Sequence, residues 1–206
     1  MILVWFIDEI SERVNNRLSK EKERQVIKRA NEVLQQYISK YIALFNCVAS
    51  PIENRKYDAS EMIENFTMKD MQNLHEFSLS FTGSLYGSSI KHFLEIELEI
   101  RNQINSIIRS VDMNYYTGVL DVLLEYVQIS LKYDCRKILL DNDGNEQLKK
   151  MVKSTLEKGE GDSFYQDFLL GSVQGFNLMH AYAILYEMMQ YERKILLKYK
   201  EEITNL

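Results

Sequence analysis

Apolar residues recur every three or four positions along most of the chain, which is the spacing of amphipathic helices. The first such run covers residues 2–49 and ends where Ser50-Pro51 follows, because proline's ring and missing N–H terminate helices. A helix of this length rises about 70 Å, so it needs partners along most of its length. We therefore expect the bundle to support its second half and to leave the first half projecting.

The first half of this helix carries a stripe of Ile7, Ile10, Val14 and Leu18, at the steps of three and four that are typical of a coiled coil. Residues 19–25 (Ser-Lys-Glu-Lys-Glu-Arg-Gln) offer no apolar side chain to bury. We predict that residues 1–29 form a projecting or membrane-proximal segment and that residues 30–206 form a single helical-bundle domain.

An apolar stripe that the bundle leaves uncovered is an interaction surface. Three occupants are consistent with the pattern: the same helix of a second copy, the carboxy-terminal stripe of the chain itself, or a membrane. The carboxy-terminal stripe consists of Met189, Leu196 and Ile203.

The remaining helices are bounded by caps and turns, and we place them at about 88–112, 114–140, 145–158 and 163–204. A shorter helix is predicted after Thr67, because Asp70 stands at capping-box spacing. Eight glycines and one proline are too few for the turns of a many-stranded fold. The predicted fold class is all-α: a bundle of long amphipathic helices with an extended N-terminal helix and a largely buried C-terminal helix.

The last helix contains the most informative segment, because residues 168–186 include no Asp, Glu, Lys or Arg. Such a helix is either central in a bundle or membrane-spanning. Gln174, Asn177 and His180 favour the bundle, since each would need a polar partner inside lipid. Together with Tyr182 they would line any pocket at this helix, and we treat these four as candidate ligand-binding residues.

No complete catalytic or metal-binding motif is present, and we predict no catalytic residue, metal ligand or cofactor. A carboxylate-bridged di-metal bundle would need Glu-x-x-His on two helices. The reversed His92-x-x-Glu95, followed by Glu97 and Glu99, predicts a solvated acidic face. His75 is predicted to lie at the surface or its boundary.

Charge narrows the range of partners. The formal net charge is −5, so no general attraction to phosphate backbones exists and nucleic acid is not an expected partner. The two cysteines, Cys47 and Cys135, stand too far apart for a disulfide framework or a metal clip, and we expect them to be reduced. No cleavable signal peptide is recognisable, so the expected location is cytoplasmic.

The amino terminus, residues 1–7, is apolar but rises only about 10 Å as a helix, too little to cross a bilayer core of about 30 Å. The basic residues that follow are typical of the cytoplasmic exit of a transmembrane helix, which would place the protein at the inner face of a membrane. The alternative is an apolar helix end that docks on protein.

Two classes of function are consistent with these patterns. The first, which we favour, is a non-catalytic interaction or regulatory module acting through a protein partner or self-association, in one version as the cytoplasmic part of a membrane-anchored protein. The alternative is a small-molecule-binding or enzymatic helical bundle with its site against helix 163–204.

Overall fold

The computed structural model describes residues 2–49, 61–75, 87–158 and 177–206 of the chain. In those ranges every regular element is helical, which confirms the predicted all-α fold class and the long first helix. The α-helices are α1 (Ile2–Val48), α2 (Ser89–Ser110), α3 (Thr117–Lys132), α4 (Arg136–Asp141), α5 (Glu146–Lys158) and α6 (Asn177–Thr204), and a 3-10 helix, Met68–Asn73, lies between α1 and α2.

Three of these helices begin at the residues predicted from the sequence, and a side chain caps the start of each. Ser88 precedes α2, and its hydroxyl accepts a hydrogen bond from the Lys91 amide at 3.2 Å. Thr67 and Asp70 form the predicted capping box at the 3-10 helix. Asn145 accepts from the third amide along, that of Leu148, at the start of α5. These caps satisfy amides that have no partner within the helix.

The predicted continuous helix over residues 114–140 is wrong. The structure begins α3 at Thr117 and interrupts the helix at Tyr133–Cys135 before α4 starts. Asp134 provides the physical reason, because its carboxylate accepts a hydrogen bond from the Arg136 amide at 3.2 Å. Such a local bond competes with continuation of the helix.

Two helix pairs dominate the packing: the second half of α1 lies along α2, and α6 lies along α3. Tyr41 of α1 packs against Phe93 of α2, with ring centroids 5.2 Å apart. The buried residues of α6 are distributed around more than one of its faces, which confirms a largely buried C-terminal helix; they are Leu178, Met179, Ala181, Tyr182, Ala183, Leu185, Met188, Met189, Glu192, Ile195, Leu196 and Tyr199. The predicted first part of this helix, residues 163–176, lies outside the described ranges.

The first half of α1 extends along the edge of the bundle and touches the α2–α3 connection. The Tyr115 amide donates to Glu23 at 3.0 Å, and the Tyr115 hydroxyl donates to Asn16 at 3.2 Å. Within the described part of α1, Ile27 is the first buried residue. Whether residues 1–29 behave as a separate unit from residues 30–206 stays a prediction.

None of the helices in the described ranges is both long enough and apolar enough to cross a membrane.

Candidate functional site

The predicted interaction stripe is exposed where its side chains are described. Ile10, Val14 and Leu18 have 49%, 51% and 64% of their surface accessible, and the side chain of Ile7 lies outside the described part. Large aliphatic side chains this exposed at successive turns of one helix form a continuous apolar strip.

The direction of the strip follows from helix geometry. At about 100° per residue, positions 10, 14 and 18 lie within about 80° of one another. Ile27, Leu34 and Tyr41, which are buried in the bundle, lie on the roughly opposite side of the same helix. The strip therefore faces away from the side of α1 on which Ile27, Leu34 and Tyr41 pack, and its side chains stay exposed beside the described residues of the bundle.

One of the three predicted occupants is thereby excluded. Met189 and Leu196 of the carboxy-terminal stripe are buried in the core, and Ile203 packs against it, so they are not available to cover the strip. Leu206 borders the same surface depression as Leu18, yet Leu18 keeps 64% of its surface exposed.

The predicted ligand-binding residues divide between described and undescribed parts of the chain. Gln174 and the side chain of Asn177 lie outside the described part. His180 is half-buried and Tyr182 is fully buried on α6. Residues two positions apart in an α-helix point about 200° away from each other. The side chains of His180 and Tyr182 therefore face different neighbours. Tyr182 lies against the ring of His75, with centroids 5.8 Å apart, and a binding role for the four residues stays a prediction.

The prediction for His75 is wrong, because the residue is buried and not at the surface. Its Nδ1 lies 2.9 Å from a carboxylate oxygen of Asp143, which the turn between α4 and α5 carries. Burial lowers the pKa of His75, although the hydrogen bond that its Nδ1 makes to the Asp143 carboxylate acts in the opposite direction. The residue is therefore neutral at neutral pH.

The predicted solvated acidic face on α2 is correct for Glu95 and Glu99 and wrong for Glu97, which is fully buried. Glu97 stands four residues after Phe93 and three before Ile100, so it belongs to the core-facing stripe of α2. Its carboxylate forms an ion pair with Arg136 of α4 and accepts a hydrogen bond from Ser130 of α3.

Further charged groups complete this arrangement. Arg101 of α2 lies 3.3 Å from Asp134, and Arg136 pairs with the same carboxylate. Arg101 also donates to the Ser130 hydroxyl at 3.3 Å. Two guanidinium groups are thus matched by the carboxylates of Glu97 and Asp134, so each charge has a partner of opposite sign.

A second fully buried carboxyl, Glu192 of α6, adjoins this group and was not predicted from the sequence. The Tyr41 hydroxyl donates to it at 2.5 Å, and the Tyr126 hydroxyl lies near it without a hydrogen bond of ordinary geometry to the described residues. Burial raises the pKa of Glu192 to about 8, while Tyr41 and Arg136 act in the opposite direction. At neutral pH Glu192 is therefore mostly protonated, which leaves the two arginines balanced. We call these eight residues the polar cluster; Tyr41, Glu97, Tyr126, Ser130 and Glu192 are buried, Arg101 and Arg136 are partly buried, and Asp134 is exposed at its edge.

The complete burial of both carboxyls gives this cluster a structural role in the conformation described. Cys47 and Cys135 are free and buried, as expected for reduced core residues, and burial raises the pKa of Cys135 to about 12. Across the described ranges, no group of three or more His, Cys, Asp or Glu side chains is placed to hold a metal ion.

The class that fold and site define is an all-α bundle with a charged, buried centre and an exposed amino-terminal apolar strip. Comparison of the chain with protein-family models, with curated proteins and with solved structures gives no match.

Replacing Glu97 should destabilise the fold far more than replacing its neighbour. Glu97→Gln removes the charge that faces Arg136 in the core, and loss of one partner of a buried pair costs about 3 kcal/mol or more. Glu99→Gln, on the exposed face of the same helix, should change the free energy of unfolding by less than about 0.5 kcal/mol. Urea unfolding of both variants measures the difference, and equal losses would contradict the buried placement of Glu97.

The raised pKa of Glu192 predicts a pH dependence of stability. Between the ordinary carboxyl value of 4.5 and about 8, the folded state holds a proton that the unfolded state releases. The contribution of Glu192 to the free energy of unfolding therefore falls as pH rises through that window, by at most about 1.4 kcal/mol per unit.

The measurement is urea unfolding between about pH 5 and pH 8 for the wild type, Glu192→Gln and Glu201→Gln. Glu192→Gln is a neutral stand-in for the protonated acid, so its advantage over the wild type should grow with pH. Glu201, exposed on the same helix, supplies the control. A constant difference between wild type and Glu192→Gln would refute the assignment.

Proposed function

We propose that this chain is a non-catalytic interaction module that self-associates through the amino-terminal half of α1. The observation that supports it is the exposed strip of Ile10, Val14 and Leu18, turned away from the helix face that the bundle occupies. An isolated helix gains most of its stability from packing of its apolar face. A partner that covers the strip would provide that packing.

The spacing of the strip suits another helix. Ile10 and Val14 occupy apolar positions of a heptad repeat, and Leu18 lies one residue beyond the next such position. The side chains of a facing helix could therefore interdigitate with them. This is the coiled-coil pairing expected from the sequence, over about two heptads.

The order of charges favours a second copy in antiparallel orientation. Along the segment, the acids Glu9 and Glu12 come first, and the bases Arg13, Arg17 and Lys20 follow. In an antiparallel pair the acidic part of one helix lies beside the basic part of the other, whereas a parallel pair would place like charges side by side. A two-fold axis near Val14 makes the surface self-complementary.

A membrane is the less favoured occupant. From residue 9 to residue 24 the segment carries four acids and five bases, so its attraction to anionic lipid is weak. The proposed location is cytoplasmic, which agrees with two free buried cysteines, since thiols persist in reducing compartments. In the membrane-anchored alternative, residues 1–7 would end a transmembrane helix and the module would lie at the inner face of the membrane. The experiment below distinguishes this alternative from self-association.

A charge placed in the strip should abolish self-association. Val14→Glu would bury an unpaired carboxylate at the proposed two-fold axis, which should raise the dissociation constant of the dimer at least about tenfold. Asn15→Glu adds the same charge on a different exposed face of α1 and should leave the dimer intact. Sedimentation velocity over a range of concentrations measures both. A wild-type chain that stays monomeric, with or without flotation on anionic vesicles, would overturn the proposal.

Cysteine cross-linking tests the orientation. With an axis near Val14, Val14→Cys should form a disulfide between copies. Ile10→Cys should not, because positions 10 and 18 of opposite chains then face each other. A mixture of Ile10→Cys and Leu18→Cys chains should cross-link to each other. Efficient cross-linking of Ile10→Cys with itself would show a parallel pair instead.

A further inference from the structure

A second apolar stripe lies on α3, on a side of the helix that does not face the core. It consists of Leu120, Leu124, Val127 and Leu131, at the steps of four, three and four that are typical of a heptad repeat. Leu124 and Leu131 keep 39% and 59% of their surface exposed, while Leu120 and Val127 are partly buried. We call these four residues the α3 stripe.

Helix geometry turns the α3 stripe away from α6. At about 100° per residue, the stripe points about 110° away from the residues of α3 that are buried in the core, which are Val119, Val122, Leu123, Tyr126 and Ser130. The contacts to α6 lie on the far side of α3. Glu125 pairs there with Lys198 at 3.2 Å, and Gly118 lies against the side chain of Glu202. The described part of α6 therefore does not cover the stripe.

The charges that flank the stripe on its solvent side have a definite order along the helix. Asp121 lies near the amino-terminal end of the stripe and Lys132 at its carboxy-terminal end, and both are exposed. Within the described part of the chain, the Asp121 carboxylate has no partner. Lys132 lies over the Tyr133 ring at 4.7 Å and is attracted by Glu187 without an ion pair to it. Glu125, the other acid on this flank, is already paired with α6.

This order of charges is self-complementary in an antiparallel pair. A two-fold axis at the midpoint of the stripe places the four apolar side chains of one copy against the four of another. Asp121 of each copy then lies within about 3 Å, measured along the helix, of the level of Lys132 in the other. A parallel pair sets each residue at the level of its own equivalent, so Asp121 would meet no lysine there. The charges therefore favour the antiparallel pair.

We propose that the α3 stripe is an interface with a second copy of this chain, paired antiparallel, with an ion pair between Asp121 of each copy and Lys132 of the other. The proposal does not depend on pairing through α1. Half of the stripe is already partly covered by the core, so pairing through α3 removes less apolar surface from water and should be weaker than pairing through α1. Where both interfaces operate, two different two-fold contacts on one chain join copies into assemblies larger than a dimer.

The test uses the Val14→Glu chain, in which pairing through α1 is blocked, so that the remaining association reports on α3. Sedimentation velocity up to high micromolar concentration should show a concentration-dependent dimer. Leu131→Glu in that background should raise the dissociation constant at least about tenfold, because a carboxylate would be buried against apolar side chains. Met151→Glu, at an exposed apolar residue of α5, is the matched control and should leave the dimer unchanged.

Charge reversal in the same background tests the orientation. Asp121→Lys and Lys132→Glu should each weaken the dimer at least about fivefold, because like charges then face each other twice in every pair. A mixture of the two variant chains should regain the affinity of the Val14→Glu parent, and so should one chain that carries both substitutions. Lys137→Glu, exposed on α4, is the control for charge alone.

The outcomes separate the two interfaces. A Val14→Glu chain that stays monomeric rules out the α3 interface and leaves pairing through α1 intact. Equal dimerisation of the wild type and Val14→Glu supports the α3 interface and refutes the one on α1. Charge reversals that do not rescue each other would show that Asp121 and Lys132 do not meet. Flotation on anionic vesicles that Leu131→Glu abolishes, without a dimer in solution, would identify a membrane as the occupant and overturn the proposal.

Discussion

The ion pair between Glu97 and Arg136, with Glu192 beside it, is the constraint on which the arrangement of the bundle depends. A charge withdrawn from water is tolerated only when a partner meets it at close range. Those partners come from α2, α3 and α4, with hydroxyl groups from α1 and α3 at Glu192. Any slip of one helix along another would leave a buried charge or hydroxyl unsatisfied, so the cluster penalises alternative packings that an all-apolar core would permit.

This constraint extends to the exposed half of α1. The hydrogen bond from Tyr41 to Glu192 fixes how the second half of α1 is rotated about its own axis. Because the helix is continuous, the same rotation applies to its amino-terminal turns. The Tyr115 bonds to Asn16 and Glu23 hold the same rotation near the bundle edge. Ile10, Val14 and Leu18 therefore point outward as a consequence of the core, and their exposure is a property of the fold as a whole.

Periodicity predicted the helices because the spacing of apolar residues and caps is local information. Local spacing also placed Glu97 on the apolar stripe of α2, between Phe93 and Ile100, so this residue could have been recognised as buried. Its partner could not, since Arg136 and Glu97 meet only after α2 and α4 have packed. His75 depends in the same way on Asp143, 68 residues away. Sequence spacing thus locates elements, whereas the pairing of buried charges is settled by tertiary contacts.

The two buried titratable groups, His75 and Glu192, oppose each other in their effect on stability. The pKa of Glu192 is raised to about 8, so its contribution declines as pH rises from 4.5 towards that value. The pKa of His75 is lowered, so its contribution is fully present above the ordinary value of 6.5 and declines as pH falls below it. Below 6.5 the two trends partly cancel, and above it Glu192 acts without that compensation. Between them, these two groups make the weakly acidic to neutral range more favourable for the fold than the alkaline range.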